Sequence, residues 1–367
     1  MINNDSKKNP AIIYEQGTLF GSPVSLKKPP STRYQGSKLK LLDWIWSNLE
    51  KLEFETFLEP FGGTGCVSYM LKSQKKQVTY NDYLKFNQII GTALIENSQF
   101  RLLDNEVDFV LKKNSDISYD NFVERKFKDV FYTDEENRWL DIIIQNIPIL
   151  KNKYKRALAY YALFQSCIIK RPYNLFHRKN LYMRTSNVKR NFGNKVTWDT
   201  PFEVHFRNFV REANNSVFDT GMPCQAICSD ALEIDGSFDL VYIDTPYLNS
   251  KGIGVDYFDF YHFLEGITNY KKWLEKINER KKHFPLKGIK SPWSDPSQCH
   301  KAFKRLFKKY ENSILVVSYR SDGIPSEYEI FSMMKEVKNH VQVIHYGEYK
   351  YVLSKNGNTK EILFIGF

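Results

Sequence analysis

The period of the apolar residues changes several times along the chain, and each change marks an element. FETFLEPFGGTGCVSYMLK starts with strand-like apolar residues, breaks at glycines and resumes with helical spacing; KQVTYNDYLKFNQIIGTALIEN repeats the order with an acid at the break. This is a βαβα opening. From about residue 100 to 225 the texture differs: helical periods such as RWLDIIIQNI and KRALAYYALFQSCII lead into a basic and aromatic run, RPYNLFHRKNLYMRTSNVKRNFGNKVTW. Strands resume in MPCQAICSD and FDLVYID, and SILVVSYR follows a Lys-rich helix. The last residues read as two strands around Asn356-Gly357, a pair suited to a hairpin turn. The expected fold is α/β, a Rossmann-like, mostly parallel sheet with an antiparallel strand from the C-terminal hairpin. Residues 33–99 and 222–367 form the sheet domain, 100–221 a mainly helical insertion, and 1–32 a polar arm.

Composition adds a location for the charge. Of 367 residues 42% are apolar, enough for a large core, and the net charge is +11. Residues 145–215 hold 14 Lys+Arg against 3 Asp+Glu, while the remainder is balanced at 39 of each, so the whole excess lies in one segment. Charge runs commonly mark solvated helix faces, but a basic block in a balanced chain also fits a polyanion, most simply nucleic acid. The first 30 residues lack the apolar core of a signal peptide, and no window has the length of a membrane span, so no membrane partner is expected. Five cysteines without paired spacing suggest reduced thiols in a cytoplasmic protein; Cys224 and Cys228 lack a second pair to complete a metal site, and no metal is expected.

Three short stretches carry candidate chemistry. FGGTG at 61–65 joins a strand to a helix, where glycines let a ligand approach bare N–H groups; it departs from G-x-G-x-x-G because Ser68 stands in the third position, and a tight structural turn explains it equally. One strand later Asp82 stands where an acid can accept both hydroxyls of a ribose. The apolar run Phe238–Ile243 reads as a strand buried on both faces, so Asp244 emerges at its carboxyl end, where open α/β sheets keep their sites. Pro246 biases Thr245 to an extended backbone, making the Asp244 carboxylate and the Thr245 carbonyl neighbouring acceptors for an amino group, and Tyr247 offers a ring on which a planar base can stack.

In this order the motifs resemble those of the Dam-like, α-group (D12 class) DNA adenine-N6 methyltransferases, which use S-adenosylmethionine. RYQGSK at 33–38 is similar to that family's K-W-x-G-G-K, EPFGGTG at 59–65 to E-P-F-x-G-x-G, YND at 80–82 to its ribose-binding turn, SDALE at 229–233 to its acidic motif, DTPY at 244–247 to D-P-P-Y, and the final KEILF to its last strand. The resemblance implies cofactor contacts from Tyr34, Lys38, Glu59, Phe61, Gly63, Gly65, Asp82, Asp230 and Asp244, and a target-base site made of Asp244, Thr245, Pro246 and Tyr247. Tyr34 stands in place of Trp and Thr245 in place of the first Pro; the latter position is expected to contribute a backbone carbonyl, which Thr also has. The implied partner is double-stranded DNA, in a restriction-modification setting that brings in an endonuclease or a companion methyltransferase. Within the insertion Lys170, Arg171, Arg178, Lys179, Arg184, Lys189 and Arg190 are candidate phosphate contacts, with Asn174 or an Arg as base reader; Arg320, after the SILVVSYR strand, is a further candidate or a structural ion pair. LNSKGIGVDYF is a candidate lid or a plain surface loop. Methylation of cytosine N4 or of RNA, and a non-catalytic DNA-reading subunit, are the competing readings.

Overall fold

The computed structural model describes residues 14–16, 27, 29–30, 32–186, 195–288, 291–348 and 360–367. Its main sheet is ordered β1 (Tyr14–Gln16), β9 (Val341–Glu348), β10 (Lys360–Gly366), β7 (Ile314–Arg320), β5 (Leu240–Ile243), β2 (Thr56–Glu59), β3 (Gln77–Asn81), β4 (Gln225–Ile227). Only β10 runs against its neighbours, pairing antiparallel with both β7 and β9. The expected mixed sheet is thus present; the Asn356-Gly357 turn lies outside the described residues. A short pair, β6 (Leu248–Asn249) with β8 (Gly323–Ile324), makes a second sheet. The N-terminal segment, expected to be only a polar arm, contributes β1 at the sheet's edge, parallel to β9.

Both faces of the sheet are covered, which is why its central strands read as continuous apolar runs. All four residues of β5 are buried: Leu240 and Tyr242 point into one cluster with Phe57, Val67 and Met70, while Val241 and Ile243 point into another with Phe303, Leu306 and Met334. The two-residue period sends alternate side chains to opposite layers. β2 pairs in parallel with β3 on one side and β5 on the other, so successive connections leave in opposite directions there. That is a topological switch point, and it sets Glu59 and Asp244 side by side at the carboxyl ends of the strands.

Between the helix Lys85–Gly91 and β4, the described residues contribute helices and no strand of the sheet. Lys153–Ile169 is buried along most of its length, because its partners surround it: Phe202–Asn215 packs along it, and the Phe164 ring meets Phe86 edge-on at 5.8 Å. One hydrophobic core therefore runs from Phe57 in the sheet through Phe86 and Phe164 to Phe127 and Phe131. Among the described residues no helix is long and apolar enough to cross a membrane.

Candidate active site

A cavity of about 600 Å³ opens at the carboxyl ends of β2, β3 and β5, a volume in the range of small-molecule sites. It is lined by Tyr34, Lys38, Glu59, Phe61, Gly63, Asp82, Asp230, Asp244, Thr245, Pro246 and Tyr247. Of the residues expected from sequence to hold a cofactor or the target base, only Gly65 stays out of the wall; it begins the helix Cys66–Ser73 with a left-handed φ of +69°.

The glycine loop is shaped by its neighbours. Gly63 has φ +50° and donates its N–H to Asp82 Oδ2 at 2.8 Å, while Leu84 N–H donates to Oδ1 at 2.8 Å. Asp82 thereby ties the loop to the exit of β3. Burial pushes its carboxyl up to about 6 against the pull of these backbone donors. The tightest position in this loop is Gly62, which sequence reasoning did not single out: a Cβ there would stand 2.0 Å from the Tyr80 ring, whose hydroxyl donates to the Gly63 carbonyl at 2.7 Å. Asn81, fully buried, brackets the site by donating to the carbonyls of Pro60 and Ser229 while accepting from Ser229 N–H. Asp230 closes its own turn by accepting from Leu232 N–H at 2.9 Å.

Glu59 accepts from the Ser68 N–H at 3.1 Å and from the Ser68 hydroxyl. The serine in the third-glycine position thus anchors this acid to the first turn of the helix. Burial raises the Glu59 carboxyl to about 8, with Ser68 opposing the rise. Tyr34 is stacked on Tyr261 (centroids 4.5 Å, 13°) and Tyr257 (5.5 Å, 6°), four residues apart on one face of the helix Tyr257–Ile267. That i, i+4 spacing is the signal in the sequence that went unread.

Asp244 sits in a buried polar network. Lys38 Nζ lies 3.1 Å from Asp244 Oδ1 and 2.8 Å from Glu361 Oε1, and donates to the Tyr247 hydroxyl, which donates to Asp244 Oδ1. Ser318 donates to Glu361 at 2.6 Å. Burial raises the Asp244 carboxyl, Lys38 pulls it back and Glu361 pushes it further up. Every protein donor to Asp244 reaches Oδ1; among the described residues none is bonded to Oδ2, and the Thr245 carbonyl accepts nothing. Two acceptors at the cavity wall thus remain open. Glu361 was missed although an acid in the apolar run KEILFIGF is itself a signal.

The basic residues sort differently from the expectation. Lys170, Arg171 and Arg184 are corrections: all three are buried inside the helical region. Lys170 Nζ and Arg184 share the Glu136 carboxylate, at 2.9 and 2.6 Å. Arg171 donates to the carbonyls of Leu175, Phe131 and Arg178 and to Asn180 Oδ1, bracing the loop that follows it. A guanidinium so engaged inside a core cannot reach a phosphate. Arg178 and Lys179 are exposed on that loop, where Asn174 is half-buried with a left-handed φ of +59°. Arg320 is held by Asp322 in a bidentate pair at 2.5 and 2.7 Å, so the structural ion pair is the observed arrangement. Lys189 and Arg190 lie outside the described residues. The segment LNSKGIGVDYF contributes Gly254, Val255, Asp256, Tyr257 and Phe258 to the cavity wall, and Ser291–Pro296, packed against Gly252 and Gly254, contributes the adjoining part.

A mostly parallel Rossmann-like sheet, a glycine loop at its switch point and an Asp-Thr-Pro-Tyr turn with open acceptors define an amino-group methyltransferase. The chain belongs to the D12 class N6 adenine-specific DNA methyltransferases, whose family model matches residues 34–322. It is similar to a type II methyltransferase, M2.HphI, of Haemophilus parahaemolyticus (29% identical; 92% of this chain and 98% of that protein). It also resembles the modification methylase StsI of Streptococcus sanguinis (28%; 90% of this chain but 51% of that protein) and the type II methyltransferase M.CviAII of Paramecium bursaria Chlorella virus 1 (22%; 90% and 97%). The activity is adenine-N6 methylation of DNA, and it calls for a methyl-donor cofactor.

Proposed function

We propose that the chain methylates N6 of an adenine flipped out of duplex DNA at a specific sequence, with S-adenosylmethionine as donor, as the modification enzyme of a restriction-modification system. The observation that carries this reading is the pair of open acceptors, Asp244 Oδ2 and the Thr245 carbonyl, beside an Oδ1 already saturated by Lys38 and Tyr247. An exocyclic amine has two N–H bonds and a lone pair delocalised into its ring. Accepting both hydrogens draws the nitrogen toward tetrahedral geometry and frees the lone pair for attack.

The residues present fit the donor. Asp82 keeps lone pairs for ribose hydroxyls beyond its two backbone bonds, Gly63 lines the wall with no side chain, and Phe61, Asp230 and Tyr34 border the same space. The bound donor supplies an activated sulfonium methyl, which needs no further activation by the protein. Lys38 and Tyr247 fix the Asp244 carboxylate in one orientation, so catalysis is chiefly positioning and electrostatics. Once the nitrogen has gained the methyl group it must shed a proton, and Oδ2, on a carboxyl whose proton affinity burial has raised, is the acceptor at hand.

A base within a duplex must leave the stack to enter such a cavity, so the DNA has to be gripped by its phosphates. Residues 100–221 are the proposed target-recognition region, with 33–99 and 222–367 as the catalytic domain. Arg178 and Lys179 on the loop braced by Arg171 contact phosphates, and Asn174 is the base reader. The 248–258 segment closes over the flipped base. The test is transfer of labelled methyl from S-adenosylmethionine to duplex DNA, with product nucleosides identified by mass spectrometry. N6-methyladenine formed by the native protein and absent with Asp244→Ala is the expected result; N4-methylcytosine, or transfer to RNA alone, would overturn the reading.

A further inference from the structure

We propose that residues 276–287 form a second phosphate-gripping hairpin, holding the DNA backbone beside the 172–180 loop near the cavity mouth. The proposal rests on duplex DNA being the substrate. The segment is a tight antiparallel excursion: Ile277 bridges Leu286, Asn278 N–H donates to the Pro285 carbonyl and Lys287 N–H to the Lys276 carbonyl, both at 2.7 Å. Ile277 and Leu286 are buried and Phe284 packs edge-on against Phe127, so the base of the hairpin is fixed in the core. Its outer part carries the charge. Residues 276–287 hold five Lys+Arg against one Glu, and Arg280, Lys281, Lys282 and Lys287 are all exposed. Among the described residues Arg280 and Lys282 form no ion pair, while Lys281 lies 3.8 Å from Asp259.

Its position gives the charge a purpose. The hairpin and the 172–180 loop both pack on the first turns of the helix Tyr257–Ile267, whose Tyr257 and Phe258 line the cavity. From the loop, Phe176 N–H donates to the Phe260 carbonyl and His177 packs on the Phe260 ring; from the hairpin, His283 reaches Asp259 at 3.6 Å. Beyond the hairpin, Gly288 lies so close to Phe258 that an added Cβ would stand 3.1 Å from the ring, and the wall residue Ser291 follows three residues later. Four residues of chain reach at most about 14 Å, so Lys287 stands near the mouth. His262 meets both, with its Nε2 3.1 Å from the Phe176 carbonyl and its ring 5.6 Å from that of His283, so two cationic elements stand side by side. The backbone around a flipped nucleotide has to be held by its phosphates, and a continuous patch of exposed cationic side chains supplies that without reading sequence.

The test compares binding of a target duplex by the unaltered protein, by Arg280→Ala/Lys282→Ala, and by Lys308→Ala/Lys309→Ala. The last pair loses the same charge from the end of the helix Cys299–Lys309, at the amino ends of the strands. The hairpin variant is expected to bind about tenfold more weakly near 0.1 M salt, with the slope of log K against log salt shallower by about 2. Its cofactor affinity, unfolding midpoint and preference among sequences stay unchanged, and the control pair binds as the unaltered protein does. Affinity within twofold and an unchanged slope, or an equal loss in the control pair, would show the hairpin to be an ordinary solvated face. If the unaltered protein bound no DNA, the substrate reading and this proposal would fall together; if it bound and methylated DNA while the hairpin variant matched it, this proposal alone would fall.

Discussion

Replacing Lys38 by Met removes the ammonium that joins the buried Glu361 carboxylate to the half-buried Asp244, and replacing Glu361 by Gln removes one of those carboxylates while keeping its shape. The two changes should move the pH dependence of catalysis in opposite directions. At 3.1 Å and an effective dielectric of about 20, the Lys38–Asp244 attraction is roughly 5 kcal/mol before desolvation is set against it. Losing one partner of such a buried pair costs on the order of 3–5 kcal/mol of stability. Asp244 must be ionised to accept the amine hydrogens. Lys38 lowers its proton affinity and Glu361 raises it. Without Lys38 the Asp244 carboxyl rises further, so the acid limb of activity moves to higher pH; without the Glu361 charge it falls, and the limb moves lower. The assay is the single-turnover methyl-transfer rate at saturating DNA and cofactor, measured from about pH 5 to 9. Movement of both limbs in the same direction, or neither limb moving, would refute the assignment of the network as the device that tunes Asp244.

Gly62→Ala drives a methyl into the Tyr80 ring and is expected to cost about 1–3 kcal/mol or more, whereas Gly63→Ala brings its Cβ only into ordinary contact with the Tyr34 ring, at 3.8 Å, and pays for its positive φ, about 1–2 kcal/mol; denaturant midpoints that reversed this order would count against the packing argument. Glu59, raised to about 8, binds its proton more tightly folded than unfolded, so the stability it contributes is full below about pH 4.5 and lost as pH rises through about 8. Urea titrations should show Glu59→Gln flattening a decline of at most about 5 kcal/mol across that window. Arg171→Ala should lower stability by about 3 kcal/mol or more, because it strands three carbonyls and Asn180 Oδ1 in the core. Arg178→Ala/Lys179→Ala should leave the unfolding midpoint in place and weaken DNA binding about tenfold; binding titrations and thermal melts on both variants distinguish the roles.

The cavity was legible because its makers stand at element boundaries that hydrophobic period marks. A strand apolar on both faces has to be covered on both, its carboxyl end has to face the switch point, and Asp244 follows from that alone. The fate of the basic block was not legible in the same way. Net charge counts residues without regard to direction, and Lys170, Arg171 and Arg184 turn inward because Glu136 and the Phe131 carbonyl await them across more than 30 residues of chain. Local sequence contains no trace of such pairing. Glu361 and the Tyr257–Tyr261 spacing were visible in the letters, but their meaning depends on the arrival of Lys38 and Tyr34 from the other end of the chain.

The unbroken core from Phe57 through Phe86 and Phe164 to Phe131 bears on how such an enzyme can acquire a new target. A reading module with its own interior could be exchanged whole between relatives, as a tool head is. Here the helix Lys153–Ile169 is packing for the sheet as much as support for the proposed reader, so a chimaera cut at its flanks would open a seam through the interior. New specificity must come instead from side-chain changes on the exposed loops, in small steps that leave the aromatic seam untouched.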